Sequence, residues 1–265
     1  MKLASISSGS KGNCILVENK STSILVDAGI SKKRIEEGLD CFGKNPENID
    51  GIVITHEHSD HIKGLGVFLR KYDIPVYGTE KTIEYILNSK SLGKMDSDLF
   101  NVIRPEHDFS IKDIDLLPLH ISHDAVDPVC YRIEDGSKTC AVVTDLGEYD
   151  QRLIGYLKGL NTILVESNHD VGMLQMGGYP YHLKQRIWGN KGHLSNESCG
   201  RLINDIISDK LEHIILGHLS QENNYPDLAY EAVRNEINFA DNDFRADDID
   251  IKVASRVEPS CLVEF

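Results

Sequence analysis

The chain has 265 residues, 40% of them hydrophobic and 26% charged, with a formal net charge of −14 at pH 7. That length can bury a sizeable core, and no apolar run approaches the roughly 18 residues that cross a bilayer. The acidic balance argues against a surface that coats nucleic acid by bulk charge, although a site holding divalent cations supplies its own local positive charge. The six cysteines (Cys14, Cys41, Cys130, Cys140, Cys199 and Cys261) form no CxxC pair. They argue against a thiolate zinc site and a disulfide scaffold. The start, Met1-Lys2-Leu3-Ala4-Ser5, lacks the long apolar stretch of a secretory leader. A reduced, cytoplasmic protein with no membrane partner is expected. With no repeat, linker or low-complexity tract, it is expected to form a single domain over 1–265.

Short strand signals broken by turns fill the first half. Leu3 to Ser7 and Ile15 to Glu18 flank the turn-rich Ser8-Gly9-Ser10-Lys11-Gly12-Asn13, and Ser23 to Val26 runs into Asp27-Ala28-Gly29. Ser31 is placed to cap a helix reaching about Leu39. Gly51-Ile52-Val53-Ile54-Thr55 reads as a buried strand, followed by a helix over Lys63 to Tyr72, a strand at Pro75 to Gly78 and a helix to Asn88. Further strands are expected at Asp115 to Leu119, Val129 to Ile133, Cys140 to Thr144, Ile163 to Glu166, Ile214 to Gly217 and Ile251 to Ala254. Helices are expected at Glu197 to Ile207 and Leu228 to Ile237. Strands with helices interspersed in both halves suggest an α/β fold, two sheets packed face to face with helices outside.

The strand at 51–55 delivers His56-Glu57-His58-Ser59-Asp60-His61. On extended backbone alternate side chains share one side, so His56 and His58 can converge on one ion. A turn at Ser59 would redirect Asp60 and His61 to a second position. Three histidines and an aspartate in six residues make a poor core segment, because each buried polar group without a partner costs roughly 1–3 kcal/mol. His123, Asp145 and His218 each follow an apolar strand, where a rigid scaffold presents chemistry. Imidazole and carboxylate donors suit zinc, iron and manganese alike. Isolated histidines such as His107 and His213 read as surface or core residues.

This ordered set resembles the metallo-β-lactamase superfamily, whose pattern is HxHxDH followed by a His, a bridging Asp and a final His, after an early Asp-x-Gly turn. The resemblance implies the metallo-β-lactamase fold, an αββα sandwich of two mixed β-sheets with helices on the outer faces. It implies two divalent metal ions, zinc first and manganese or iron as alternatives. His56, His58 and His123 would hold one, Asp60, His61 and His218 the other, and Asp145 both, with Asp27 orienting the histidine loop. Position 58 is His rather than the Glu of the di-iron flavoprotein branch, which argues against redox chemistry.

Five further segments resemble the WalJ (YycJ) branch: Ser7 to Cys14, Ser122 to Val129, Glu166 to Asp170, Tyr179 to Ile187 and Gly192 to Asn196. That branch implies a metal-dependent phosphodiester hydrolase related to RNase Z, a 5′-to-3′ DNA exonuclease with nucleic acid as partner, working through a dinuclear-metal-activated hydroxide. A small-molecule metallohydrolase (lactonase, thioesterase or cyclic phosphodiesterase) on the same metals is the alternative. Independently of the resemblance, Val171 to Asn196 contains no Asp or Glu in a chain that carries 42. Lys184, Arg186 and Lys191 interleave there with Tyr179, Tyr181 and Trp188. That pattern suits a single strand of nucleic acid, and equally a helix with its aromatics buried and its cations solvated. His193 occupies the place of the RNase Z histidine that assists proton transfer, and with Asp60 it forms the expected catalytic pair; its bland alternative is a structural histidine. Ser10, Asn13, His169, Lys184, Arg186, Ser195 and Asn196 are the expected substrate contacts.

Overall fold

The computed structural model describes all residues, 1–265. Its strands are β1 (Lys2–Ser7), β2 (Cys14–Glu18), β3 (Ser23–Val26), β4 (Gly51–Val53), β5 (Val76–Thr79), β6 (Phe100–Ile103), β7 (Phe109–Ile111), β8 (Ile114–His120), β9 (Val129–Glu134), β10 (Thr139–Val143), β11 (Thr162–Glu166), β12 (His213–Gly217), β13 (Asp250–Val253) and β14 (Ser260–Glu264). Its helices are α1 (Lys32–Cys41), α2 (Ser59–Ile62), α3 (Leu65–Leu69), α4 (Glu80–Asn88), α5 (Gln151–Leu157), α6 (Val171–Met176), α7 (Tyr181–Trp188), α8 (Asn196–Ile206) and α9 (Pro226–Phe239). No helix is long and apolar enough to cross a membrane.

Two seven-stranded mixed sheets result, in the orders β14-β1-β2-β3-β4-β5-β6 and β13-β12-β11-β10-β9-β8-β7. In each, one side is antiparallel and the other parallel: β3 to β6 in the first, β10 to β13 in the second. The strands are apolar on both faces because both are covered. Leu3, Val17, Val53, Leu116, Tyr131 and Ile215 fill the space between the sheets. Ile35, Leu39 and Phe68 pack under the first sheet, and Leu153, Leu202 and Val233 over the second. The αββα layering expected from the sequence is the architecture found.

The carboxyl ends of β3, β4, β8, β10, β11 and β12 meet along one edge, where the chemistry gathers. One tie across the layers sets the position of the histidine loop. The fully buried Tyr131 donates its hydroxyl to the Ile54 carbonyl at 2.7 Å, fastening the second sheet to the backbone two residues before His56.

The helix expected over Lys63 to Tyr72 is shorter, α3 over Leu65–Leu69, and a separate turn of helix, α2, precedes it across Lys63 and Gly64. A Cβ on Gly64 would stand 1.7 Å from the Ile30 carbonyl oxygen, so this crossing admits only glycine and breaks the run. Six elements had no clear signal in the sequence: β6, β7, β14, α5, α6 and α7.

Candidate metal centre

After β4 the chain stays extended to His58, which caps α2 with φ −60° and ψ 147°; Asp60 and His61 lie in the helical turn beyond. The turn thus redirects the second half of the cluster. The Asp27-Ala28-Gly29 turn at the end of β3 packs against that helical turn. A Cβ on Gly29 would lie 1.6 Å from the Asp60 carbonyl oxygen, and the Ala28 N–H donates to His61 O at 2.9 Å. Asp27, Asp145 and His218, each at a strand end, adopt left-handed backbone with φ of 64°, 59° and 53°.

Ligand atoms of His56, His58 and His123 gather within 4.8 Å of one another, and those of Asp60, His61 and His218 do the same. Nε2 of His123 and Nδ1 of His58 lie 3.2 Å apart. Nε2 of His61 is 3.6 Å from Asp60 Oδ2, which is also 3.6 Å from His218 Nε2. Asp145 sits between the groups, with Oδ2 3.1 Å from His61 Nε2 and Oδ1 3.7 Å from His123 Nε2. His56 Nε2, Asp145 Oδ2 and His218 Nε2 are buried and have no hydrogen-bond partner. Buried polar atoms are ordinarily paired, so three orphans converging on one spot fit a site for divalent ions. The seven side chains expected as ligands are therefore brought together as two adjoining donor groups.

The ring nitrogens facing away are braced. His61 Nδ1 donates to Asp27 Oδ2 at 2.7 Å, and Asp27 also accepts the Thr55 N–H and hydroxyl at 2.9 and 2.8 Å. Thr55 Oγ1 is 3.0 Å from His56 Nδ1. His123 Nδ1 donates to the Gly192 carbonyl at 3.2 Å. Such contacts fix which nitrogen faces an ion.

Glu166, at the end of β11, is wholly buried and escaped the sequence reading as a site residue. Its Oε1 accepts from His193 Nδ1 at 2.7 Å and from His218 Nδ1 at 2.8 Å; its Oε2 accepts the Leu146 and Leu194 N–H groups at 2.9 and 3.2 Å. With both oxygens so engaged, Glu166 is a brace rather than an ion ligand. The available signal was a lone carboxylate closing an apolar strand, the same signal that singled out Asp145.

Charge follows this arrangement. Burial pulls the His218 imidazole down, but Asp145, Asp60 and Glu166 outweigh it and hold it up at about 10. Burial lowers His61 likewise, and Asp27, Asp145 and Asp60 raise it well above the usual histidine range. His56 is pushed well below that range, first by burial and then by the neighbouring histidines. Burial raises Glu166, yet His193 and His218 bring it down to about 2. Divalent ions would displace the protons that these carboxylates keep on His61 and His218.

His193 lies beside the ligands. Its Nδ1 is committed to Glu166, its side chain is 20% exposed, and Nε2 has no protein partner. Its loop is tied to the His123 loop: Ser122 Oγ donates to Asn190 O at 2.8 Å, and Asp124 N–H to Lys191 O at 3.1 Å. Asp60, with a side chain 21% exposed, also reaches toward solvent.

The expected substrate contacts divide. On α7, which buries none of its residues, Arg186 pairs with Asp124 at 2.5 Å and Lys184 donates to the Gln175 carbonyl at 2.7 Å. Tyr181 and Trp188 are exposed and meet edge to face, so the aromatics are not the buried face of a helix. Ser10 is exposed beside the loop that carries Asn13. Asn13 is buried, with Nδ2 3.0 Å from His61 Nε2 and Oδ1 accepting the Gly9 N–H at 2.8 Å. His169 is buried, Nδ1 unpartnered, and burial pushes its pKa down to about 4. Ser195 caps α8. Asn196 is wholly buried, its amide bonded to Ser167 and Asn224 at 2.7–3.1 Å. It braces the loop from below, with no face left for a substrate, which corrects the expectation.

The metallo-beta-lactamase superfamily matches residues 8–218. Exodeoxyribonuclease WalJ of Streptococcus pneumoniae is 41% identical over 240 residues, covering 91% of this chain and 89% of that protein. Exodeoxyribonuclease YycJ of Bacillus anthracis is 40% identical over 231 residues, 86% of each. Among solved structures, Zn(2+)-bound PqqB from Methylobacterium extorquens superposes with a TM-score of 0.75 at 14% identity over 100% of both chains. The metallo-beta-lactamase fold protein YhfI from Bacillus subtilis does so at 0.71 and 18% over 99% of both. These two likenesses establish the fold alone.

Proposed function

Because this chain belongs to the metallo-β-lactamase superfamily, we propose that it is a metal-dependent phosphodiester hydrolase that trims DNA from the 5′ end. The observation that carries the reading is the 41% identity to an exodeoxyribonuclease across nine-tenths of both chains. His56, His58 and His123 would hold one ion, Asp60, His61 and His218 the second, and Asp145 both. Zinc is the first choice for this donor set, with manganese and iron to be tested beside it. When bound, the pair supplies a water of lowered pKa and positive charge for the phosphate oxygens.

The protein's own groups do the rest. Asp60 orients the attacking water with the carboxylate edge that reaches the cleft. His193 donates through Nδ1–H to Glu166, so in its charged form it carries a second proton at Nε2 and passes it to the leaving oxygen. Burial lowers the His193 pKa, but Glu166 and then Asp145 raise it overall, which keeps that proton in place. On one flank, Arg186, Lys184 and the exposed Tyr181 and Trp188 offer phosphate contacts and stacking surfaces to the strand. On the other, Ser10 and Lys11 are the exposed members of their loop.

The test is digestion of end-labelled single- and double-stranded DNA and RNA by apo-protein restored with each metal in turn. Stepwise shortening of DNA from the 5′ end is expected. Turnover of a small ester with no cleavage of any polymer would overturn the reading in favour of a small-molecule metallohydrolase.

A further inference from the structure

His58 is the member of the first donor group whose outward nitrogen is left unbraced. Its Nδ1 faces the group, 3.2 Å from His123 Nε2, so its Nε2 points away. His56 and His123 have their supports, the Thr55 hydroxyl and the Gly192 carbonyl. The carboxylate oxygen near His58 Nε2 is Asp124 Oδ1, and at 3.8 Å it is too far for a hydrogen bond. Asp124 belongs to neither donor group, although Oδ1 also stands 3.4 Å from His123 Nε2. The reason for the shortfall lies on the other side of the carboxylate, where Oδ2 accepts from Arg186 Nε at 2.5 Å.

The main chain around Asp124 is fixed on both sides. Its N–H donates to the Lys191 carbonyl at 3.1 Å. Two residues on, the Val126 N–H donates at 3.0 Å to Oε1 of Glu57, which is buried between His56 and His58 in the chain. The carboxylate can therefore turn between two partners on a stationary backbone. Arg186 is the loose one. It lies on α7, which buries none of its residues, and among α7 side chains it alone makes a polar bond to a residue outside 171–192. The two side chains are 58% and 30% exposed, and an exposed ion pair is weakly held. A phosphate offers the guanidinium at least as good a partner.

Resting on the reading of α7 as a strand-binding surface, we infer that Asp124 is a positioning residue that couples the first ion to the bound strand. Without a strand, Asp124 belongs to Arg186 and His58 lacks its brace. When a strand phosphate takes Arg186, Asp124 turns and accepts the Nε2–H of His58. That bond fixes the ring with Nδ1 toward the ion and raises its basicity. Such coupling is reciprocal: the strand tightens the first ion by the same factor by which the ion tightens the strand. The second donor group, already resting on Asp27 and Glu166, stands outside the exchange. The complete pair of ions then assembles on substrate, and the protein without a strand holds one ion firmly and the other loosely.

The experiment is a double-mutant cycle read as zinc affinity under a competing chelator, in the parent protein, Arg186→Gln, Asp124→Asn and the two combined. The second ion is the internal control, identified as the binding step that Asp27→Asn moves. Arg186→Gln releases Asp124 and is expected to tighten the first ion about fivefold. Asp124→Asn is expected to loosen it about twofold, and the combined variant to match Asp124→Asn within about twofold. A gain from Arg186→Gln that persists beside Asp124→Asn would be the lost positive charge acting through space, and overturns the brace. So does a first ion loosened by Arg186→Gln. In a His193→Ala background, adding oligothymidylate is expected to tighten the first ion about threefold, and to leave it unchanged once Asp124→Asn is added. If the zinc cycle holds and the strand shifts nothing, the coupling is overturned. If no DNA is cut, the nuclease reading fails by itself, and the zinc cycle still decides whether Asp124 braces His58.

Discussion

The two donor groups are held in different ways. In the second group the outward nitrogens rest on buried carboxylates, His61 on Asp27 at 2.7 Å and His218 on Glu166 at 2.8 Å. In the first group the supports are neutral or remote: the Thr55 hydroxyl for His56 at 3.0 Å, the Gly192 carbonyl for His123 at 3.2 Å, and Asp124 3.8 Å from His58 Nε2. A carboxylate raises the basicity of its imidazole and fixes the ring; a hydroxyl or carbonyl chiefly fixes the ring. The second group is the charged, pre-set half, and the first is the softer half, open to solvent through His58.

That contrast can be broken in steps. Asp145 serves both halves, so Asp145→Ala should take turnover to background and lower metal content at both positions; activity with a full metal complement would refute the bridging role. His193→Ala should keep both ions and slow cleavage by about 10²-fold, whereas loss of metal would make His193 structural. Asp27→Asn and Glu166→Gln should each weaken one ion by roughly 10- to 100-fold while sparing the other, read as a drop in stoichiometry under competing chelator. Equal loss of both ions would erase the distinction between the halves. Thr55→Val removes the hydroxyl beside His56, leaves Asp27 its bonds from the Thr55 N–H and His61, and should cost about fivefold or less in affinity for the first ion. An effect as large as that of Asp27→Asn would mean that the first half is braced as firmly as the second.

Much of this was legible in the sequence because its signals were local. Runs such as Gly51 to Val53 and Thr162 to Glu166 are wholly buried and read as strands at sight, and Ser31 caps α1 as expected, accepting from Arg34 N at 3.4 Å. Side chains that end such strands in His or Asp had no bland explanation. The missed elements lack those signals. β6 is an edge strand with Asn101 and Val102 in solvent, β7 spans only three residues, and α7 has no buried face to leave a helical period. Glu166 and Asn196 were harder for another reason. Their roles lie in partners 20 to 52 residues away in sequence, so even the strand-end position of Glu166 does not tell a fully bonded brace from an ion ligand.

Asp27, Asp145 and His218 each bend into left-handed backbone as their strand ends. For a residue with a Cβ this costs about 1–2 kcal/mol, and aspartate and histidine are among the few side chains that tolerate it. The consequence is a conflict between durability and activity. Glycine at any of the three would relax the main chain but remove the side chain that the site uses, and at Asp27 it would also leave Thr55 and His61 without their buried acceptor. The strain at these three positions is therefore local energy spent on aiming side chains at one point, and a change that relieves it takes the aim away with it.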